Sequence, residues 1–321
     1  MMRLARTMAG GLALCAGIAA AADYPSRPLR LIVPASPGSG MDFFARTVGQ
    51  SLSEAYKQQV IADNRAGAGG LIGAATVATA TPDGYTLGMA STSTIISPLL
   101  QVKPPYRPIE AFTPVALLAS ITSVLVVAPG VQAKTVQEFV ALAKLGPGQF
   151  NFASIGAGTA AHLTAEIFNR AAGIDAVHVP FKIIADIYTE MLANRVHYLV
   201  FVSPASIPML RDGKMRALAV TSAKRNAALP DTPTVVEAGL PGAEVDTMFG
   251  VLAPAGLPKA IVGKLNADIQ KILRLPETRE RFARQGGEPA INVSPEAYGR
   301  SLREEYERYR KLLPAIGLKP Q

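Results

Sequence analysis

The sequence predicts an α/β fold with mostly parallel sheets, and three observations carry that prediction. Short β-branched apolar runs alternate with amphipathic helical stretches along the chain. Two of those runs pass into a helix through a small glycine-rich loop, once within residues 29–52 and again within 150–170. Apolar residues at 49% and charged ones at 17%, over 321 residues, describe a well-buried globular protein with room for two domains or one large one.

The first unit organises the rest. Leu29, Leu31, Ile32 and Val33 read as a buried strand, and Pro34 and Pro37 end it because neither donates a backbone N–H. Gly38, Ser39 and Gly40 form a small-residue loop. From Met41 the pattern is helical, with Phe44, Val48 and Leu52 on one face. A strand, a glycine loop and a helix leave free amides at a positive helix end, which suits an anion. The alternative is that Pro and Gly merely shape a βα turn.

The first 22 residues read as a signal peptide. Arg3 and Arg6 form its positive region, an uncharged run extends from Thr7 to Ala20, and an alanine triplet precedes Asp23. That run falls short of the roughly 20 residues a permanent span takes. Cleavage near Ala22 removes the only cysteine, Cys15, so the mature chain forms no disulfide and relies on its core. The formal charge of +8 drops by two with the leader. No basic stripe carries interleaved aromatics, so nucleic acid is not an expected partner.

In order, further strands are expected at 59–62, 85–90, 121–128, 150–154, 176–180, 196–202, 216–221 and 248–253. Helices follow at about 71–80, from Thr135 to Leu145 with a Thr135–Glu138 capping box, from about 160 to 170, and at 259–273. The last starts at Ser294-Pro295, an N-cap and N1 pair. The strand at 85–90 opens into Ser91-Thr92-Ser93-Thr94, hydroxyls that either cap a helix or hold a polar ligand. That at 196–202 ends at Ser203.

Gly156, Gly158 and Ala161 match a dinucleotide fingerprint, but Asp175 precedes the next strand where the acidic partner should end it. Reaction chemistry is otherwise sparse. His162, His178 and His197 have no metal-ligand spacing, no G-x-S-x-G elbow occurs, and the mature chain has no thiol. No metal, cofactor or catalytic residue is expected. A hydrolase using Ser39 or Ser154 is the enzyme alternative. His162 could donate to a ligand or serve as a cap or core contact.

The stretches YPSRPLRLIVPASPGSGMD, NRAGAGGLIGA, PDGYTL, SIGAGTAAHL, GKMRALAVTSAKR and LPDTPTVVEAGLPG resemble the Bug family, the TctC-type periplasmic solute receptors of tripartite tricarboxylate transporters. The resemblance covers nearly the whole mature chain. It implies a type II periplasmic-binding-protein fold: two α/β domains, 23–123 plus 246–321 and 124–245, with a hinge and a ligand cleft between them. It also implies a monomer that holds a small carboxylate and serves the membrane subunits of a transporter, a receptor for a membrane sensor being the other role.

The grip would lie in the two glycine loops, through Ser36, Gly38, Ser39, Gly40 and Asp42 and through Ser154, Gly156, Gly158, Thr159 and His162. Ser91, Thr92 and Ser203 stand at further strand ends. Ser39, Thr159 and His162 are the expected side-chain donors. Asp42 would hold its turn or a cationic group of the ligand. A side chain at Gly158 is expected to block the ligand without disturbing the fold. Where the family usually has a Lys-Gly-Gly-like turn, this chain has Lys182-Ile183-Ile184, which should narrow or reshape the pocket wall.

Overall fold

Strand β1 (Leu29–Val33) is buried but for the part-covered Arg30, and helix α1 (Gly40–Tyr56) returns along it with Phe44, Val48 and Leu52 in the core. The computed structural model describes residues 24–315, 317, 318 and 320, so the expected signal peptide lies outside the described residues. β1 pairs in parallel with β2 (Val60–Asn64) on one side and β3 (Thr86–Ser91) on the other. Helix α2 (Leu71–Ala78) has few large side chains and lies hard against the end of β1: a Cβ at Gly73 would sit 2.9 Å from Pro34 Cα. A short helix, α3 (Thr92–Ile96), runs on from β3 into a 3-10 turn at Ser97–Leu100.

Two long antiparallel strands interrupt the mostly parallel arrangement. β4 (Phe112–Val127) pairs with β9 (Asp246–Pro254) from Phe112↔Pro254 to Thr122↔Asp246. Only residues 121–128 of β4 read as strand in the sequence, because Pro114 and the alanines before Ile121 look like a connection. Register shifts between Pro114 and Ala116 and between Leu117 and Ala119 accommodate the proline.

From Ser123 onward β4 pairs instead with β7 (Tyr198–Val202) on one side and β8 (Arg216–Val220) on the other. This second part holds α4 (Val136–Leu145), β5 (Phe150–Ser154), α5 (Ala160–Ala172), β6 (Ala176–Pro180), α6 (Ile184–Leu192) and α7 (Ser203–Arg211). β5 lies parallel between β6 and β7. Helices α8 (Lys259–Arg274) and α9 (Pro276–Arg284), strand β10 (Gly287–Pro289, paired with β4) and helix α10 (Pro295–Ala315) complete the first part.

The apolar cores divide along β4. One cluster gathers only residues from 124 to 243, and another gathers residues 24–121 and 249–282. We call these the second and first lobes. A smaller cluster joins them: Ile96, Leu100, Tyr309 and Leu313 of the first meet Leu163 and Ile167 of the second. Among the described residues, no helix is long and apolar enough to cross a membrane.

Candidate functional site

The first glycine loop is built around Asp42. Ser39 is the N-cap of α1, its hydroxyl accepting from the Asp42 amide at 3.3 Å. The Asp42 carboxylate, in a residue only 4% exposed, accepts from the Gly38 amide at 2.9 Å, from Arg46 Nε at 3.0 Å and from Asn64 Nδ2 at 3.0 Å. Asn64 Nδ2 also donates to the Ala35 carbonyl at 3.0 Å. Burial alone would raise the Asp42 carboxyl, but the bonds from Arg46, Gly38 and Asn64 hold it below its ordinary value. Of the two roles expected for Asp42, it fills the holding of the turn. Among the described residues, the amides of Gly40 and Met41 donate to no hydrogen bond, and both sit at the positive end of α1.

The second loop is held by hydroxyls and histidines. Thr159, the N-cap of α5, donates to the Gly156 carbonyl at 2.8 Å and accepts from the His162 amide at 3.4 Å. Ser154 Oγ donates to the Gly156 carbonyl at 2.8 Å and lies 2.7 Å from His178 Nε2. Its one hydrogen being spent on the carbonyl, His178 Nε2 carries the hydrogen of that second bond. His162 Nδ1 accepts from the Gly158 amide at 3.0 Å, which places that ring's hydrogen on Nε2, facing Glu166 Oε1 at 3.6 Å. The His162 and His178 rings stack with centroids 3.9 Å apart, and Phe152 stacks on His178. Burial, reinforced by His162, pushes His178 down to about 4. The Ala160 amide is taken by Ser93 Oγ of the first lobe at 2.9 Å, while those of Ala157 and Ala161 donate to no hydrogen bond among the described residues.

Several expected ligand contacts are therefore occupied. Thr159 has spent its hydrogen on the Gly156 carbonyl, whereas Ser39 Oγ only accepts, from the Asp42 amide, and keeps its own hydrogen. His162 uses Nδ1 within the loop, with Nε2 turned to Glu166. The Ser36 carbonyl accepts from Ser39. The Ser91 amide donates to Thr94 Oγ1 at 3.1 Å, closing the start of α3, and Thr92 Oγ1 accepts from the Met248 amide at 3.3 Å. Ser203, fully buried, has its hydroxyl against the Gly286 carbonyl at 3.4 Å. What remains available at the loops is backbone together with the hydroxyls of Ser36 and Ser39, neither of which donates to a hydrogen bond among the described residues.

Sequence reasoning passed over Asn64 and Ser97, read His178 only for metal spacing, and named Ser93 only within a run of hydroxyls that cap a helix or hold a ligand. Asn64 ends β2 beside β1, a strand-end position that could have drawn notice. Nothing in the sequence signals that Ser93 meets Ala160, 67 residues on. The Ser154–His178 contact has the atoms of a nucleophile and base, yet Ser154 is fully buried and its proton is on a carbonyl, so the pair braces the loop. Among the described residues, no three His, Cys, Asp or Glu side chains gather to hold a metal.

Two helix starts with spare amides, on two lobes joined by a shared strand, are the frame of a solute-binding protein. Residues 44–318 match the tripartite tricarboxylate transporter family receptor, and the chain belongs to that family. It is 34% identical over 309 residues to BugT of Bordetella pertussis, covering 95% of this chain and 94% of that protein. Among solved structures it is similar to R. palustris Rpa4515 with adipate, at 33% identity and a TM-score of 0.88, covering 93% of this chain and all of that one (100%). It is also similar to MatC from Rhodopseudomonas palustris with bound malate, at 30% identity and a TM-score of 0.84, covering 90% of this chain and 100% of that chain. The family is one of receptors, and the fold is that of periplasmic binding proteins such as BugD, to which the chain is similar at 30% identity and a TM-score of 0.86, covering 93% of this chain and 100% of that chain.

Proposed function

We propose that the protein is an exported periplasmic receptor that holds a small carboxylate between its two glycine loops for the membrane subunits of a tripartite transporter. The two domains are 23–123 plus 246–321 and 124–245, with crossings near Ser123 to Val127 and Val245 to Phe249. The observation that carries the reading is the set of spare amides at two helix starts: Gly40 and Met41 on one lobe, Ala157 and Ala161 on the other. A carboxylate oxygen accepting from each pair gains charge-assisted bonds of about 1.5–3 kcal/mol apiece. The cap side chains fix the loops in advance, so little ordering is left for binding to do. Arg46 is committed to Asp42, which leaves helix dipoles and amides as the positive field. The acids named with Rpa4515 and MatC support a carboxylate as the ligand.

Native mass spectrometry of the protein taken from its own periplasm tests the reading. A small organic acid retained at one per chain is expected. A retained ligand with no carboxylate, or turnover of simple esters, would overturn it. The same preparation probed for co-purifying membrane subunits separates transport from signalling.

A further inference from the structure

We propose that the carboxylate held here carries an apolar body, an aryl ring or an alkyl chain, which packs on Ile155 and Ile183; this rests on the receptor reading above. Ile155 stands inside the second glycine loop and is 36% exposed, and Ile183, just past β6, is 45% exposed. The parallel pairing of β5 with β6 carries the two turns that hold them to the same end of the sheet: Ser154 lies opposite Pro180, and the Phe181 amide donates to the Ser154 carbonyl at 2.9 Å. Both therefore lie just past the carboxyl ends of β5 and β6, on the side where the loop amide of Ala157 and the first-turn amide of Ala161 are spare, the usual place for a ligand on parallel strands.

Single exposed isoleucines on a surface mean little. Ile183 has a second mark. It is the N-cap of α6, with φ −135° and ψ 150°, and no side chain caps that helix. Ser, Thr, Asp or Asn at this position would accept from the first turn. An exposed, β-branched apolar residue there departs from local preference twice, and such departures gather at functional positions. The nearby charges favour one carboxylate over several. Asp186 occupies the first turn of α6, the helix that starts after Ile183, so a second carboxylate at this wall meets an acid and isoleucine. Lys182 is the one cation in the 181–184 turn, and it is exposed.

The test is calorimetric titration of the purified protein, freed of carried-over ligand, with acetate, hexanoate, benzoate, malate and citrate. Hexanoate and benzoate are expected to bind at least about tenfold more tightly than malate and citrate, roughly 1.4 kcal/mol. Ile183→Ser and Ile155→Ser should each bring hexanoate toward the affinity of acetate while leaving acetate unchanged. Malate or citrate binding as tightly as hexanoate overturns the apolar body and leaves the receptor reading standing. If the folded protein binds none of the five, the apolar-body proposal falls, while the receptor reading is decided separately by the ligand that mass spectrometry finds. Unaltered hexanoate binding in Ile183→Ser overturns the wall assignment. That variant decides alone should Ile155→Ser not fold, since Ile183 is exposed and a serine there gains a cap.

Discussion

The hydroxyl of Ser93 accepts from the amide of Ala160 at 2.9 Å, so the helix that follows the second glycine loop is capped from the opposite lobe. Its own N-cap, Thr159, serves the His162 amide. Next to this contact Ser97 donates to the Gly158 carbonyl at 3.2 Å, and Ile96 and Leu100 pack with Leu163 and Ile167. The lobes thus meet along one flank of the loop through bonds that require no ligand. A closing motion has to pivot about that flank or break it.

Replacing Ser93 by Ala strands the Ala160 amide at a helix start. The expected cost is about 1 kcal/mol, as for other lost caps. Denaturant melts should show it, together with faster amide hydrogen exchange at residues 160 and 161. Unchanged stability and exchange would mean the inter-lobe cap is not kept in solution.

Gly158 proves a poor position for a binding test. Its φ is +73°, and a Cβ there would lie 2.5 Å from Leu100 Cδ1. The leucine tip can turn aside, but the left-handed backbone stays unfavourable for a β-branched residue. The expectation of an undisturbed fold is therefore withdrawn, and Gly158→Val should lose about 1–2 kcal/mol of stability. A melting temperature equal to the parent's would show that the loop relaxes around the new side chain.

Stability should also respond to pH through the histidine stack. His178 is pushed from 6.5 to about 4, chiefly by burial and then by His162. A folded value below the unfolded one means the unfolded chain takes up the proton first. The stabilisation is whole above about pH 6.5 and is lost as pH falls from there toward 4. Burial lowers His197 as well, so it adds to the same window, whereas Asp42 acts only from its ordinary 3.8 downward. Melting temperatures measured from pH 8 to 4 should decline below 6.5, and His178→Gln should flatten part of that decline. An identical slope in the variant would remove His178 from the account.

Ile183→Ser carries a separate expectation for stability. The new hydroxyl stands at the uncapped start of α6 with extended backbone already in place, so the variant should gain about 1 kcal/mol. Loss of stability instead would show that Ile183 packs in the free protein.

How much of this was readable depended on range. The β1–loop–α1 unit and its counterpart at Phe150–Ala172 are local, set by β-branched runs, small residues and helical spacing, and the sequence shows them within a few residues. Most of β4 was hidden, since its bulges break the period-2 pattern that marks a strand. Helix α6 went unseen because Ile183 is no capping residue, and α9 because its apolar face is little more than Phe282. The caps on Ser39 and Thr159 were legible as residue types. Their engagement with Asp42 and His162, which leaves the neighbouring amides free, became visible only with the loop closed.

The cleanest test of the grip is Gly40→Pro. Gly40 is the first residue of α1, and its amide donates to no hydrogen bond among the described residues. Proline suits that position, since it lacks the N–H that would be unpaired anyway and its φ matches the helix. Ser39 before it has φ −70° and ψ 163°, the extended backbone a pre-proline residue prefers. The substitution therefore removes one donor to the carboxylate and no bond of the fold. Loss of one charge-assisted bond, about 1.5–3 kcal/mol, corresponds to at least tenfold weaker binding. Gly40→Ala, which adds a Cβ and keeps the N–H, should bind like the parent. Calorimetric titration of both variants with the tightest acid of the panel, alongside their melting curves, reads the outcome. Parent-like affinity in Gly40→Pro would take the Gly40 amide out of the grip. Equal weakening in Gly40→Ala would trace the loss to bulk in the loop and not to the missing donor.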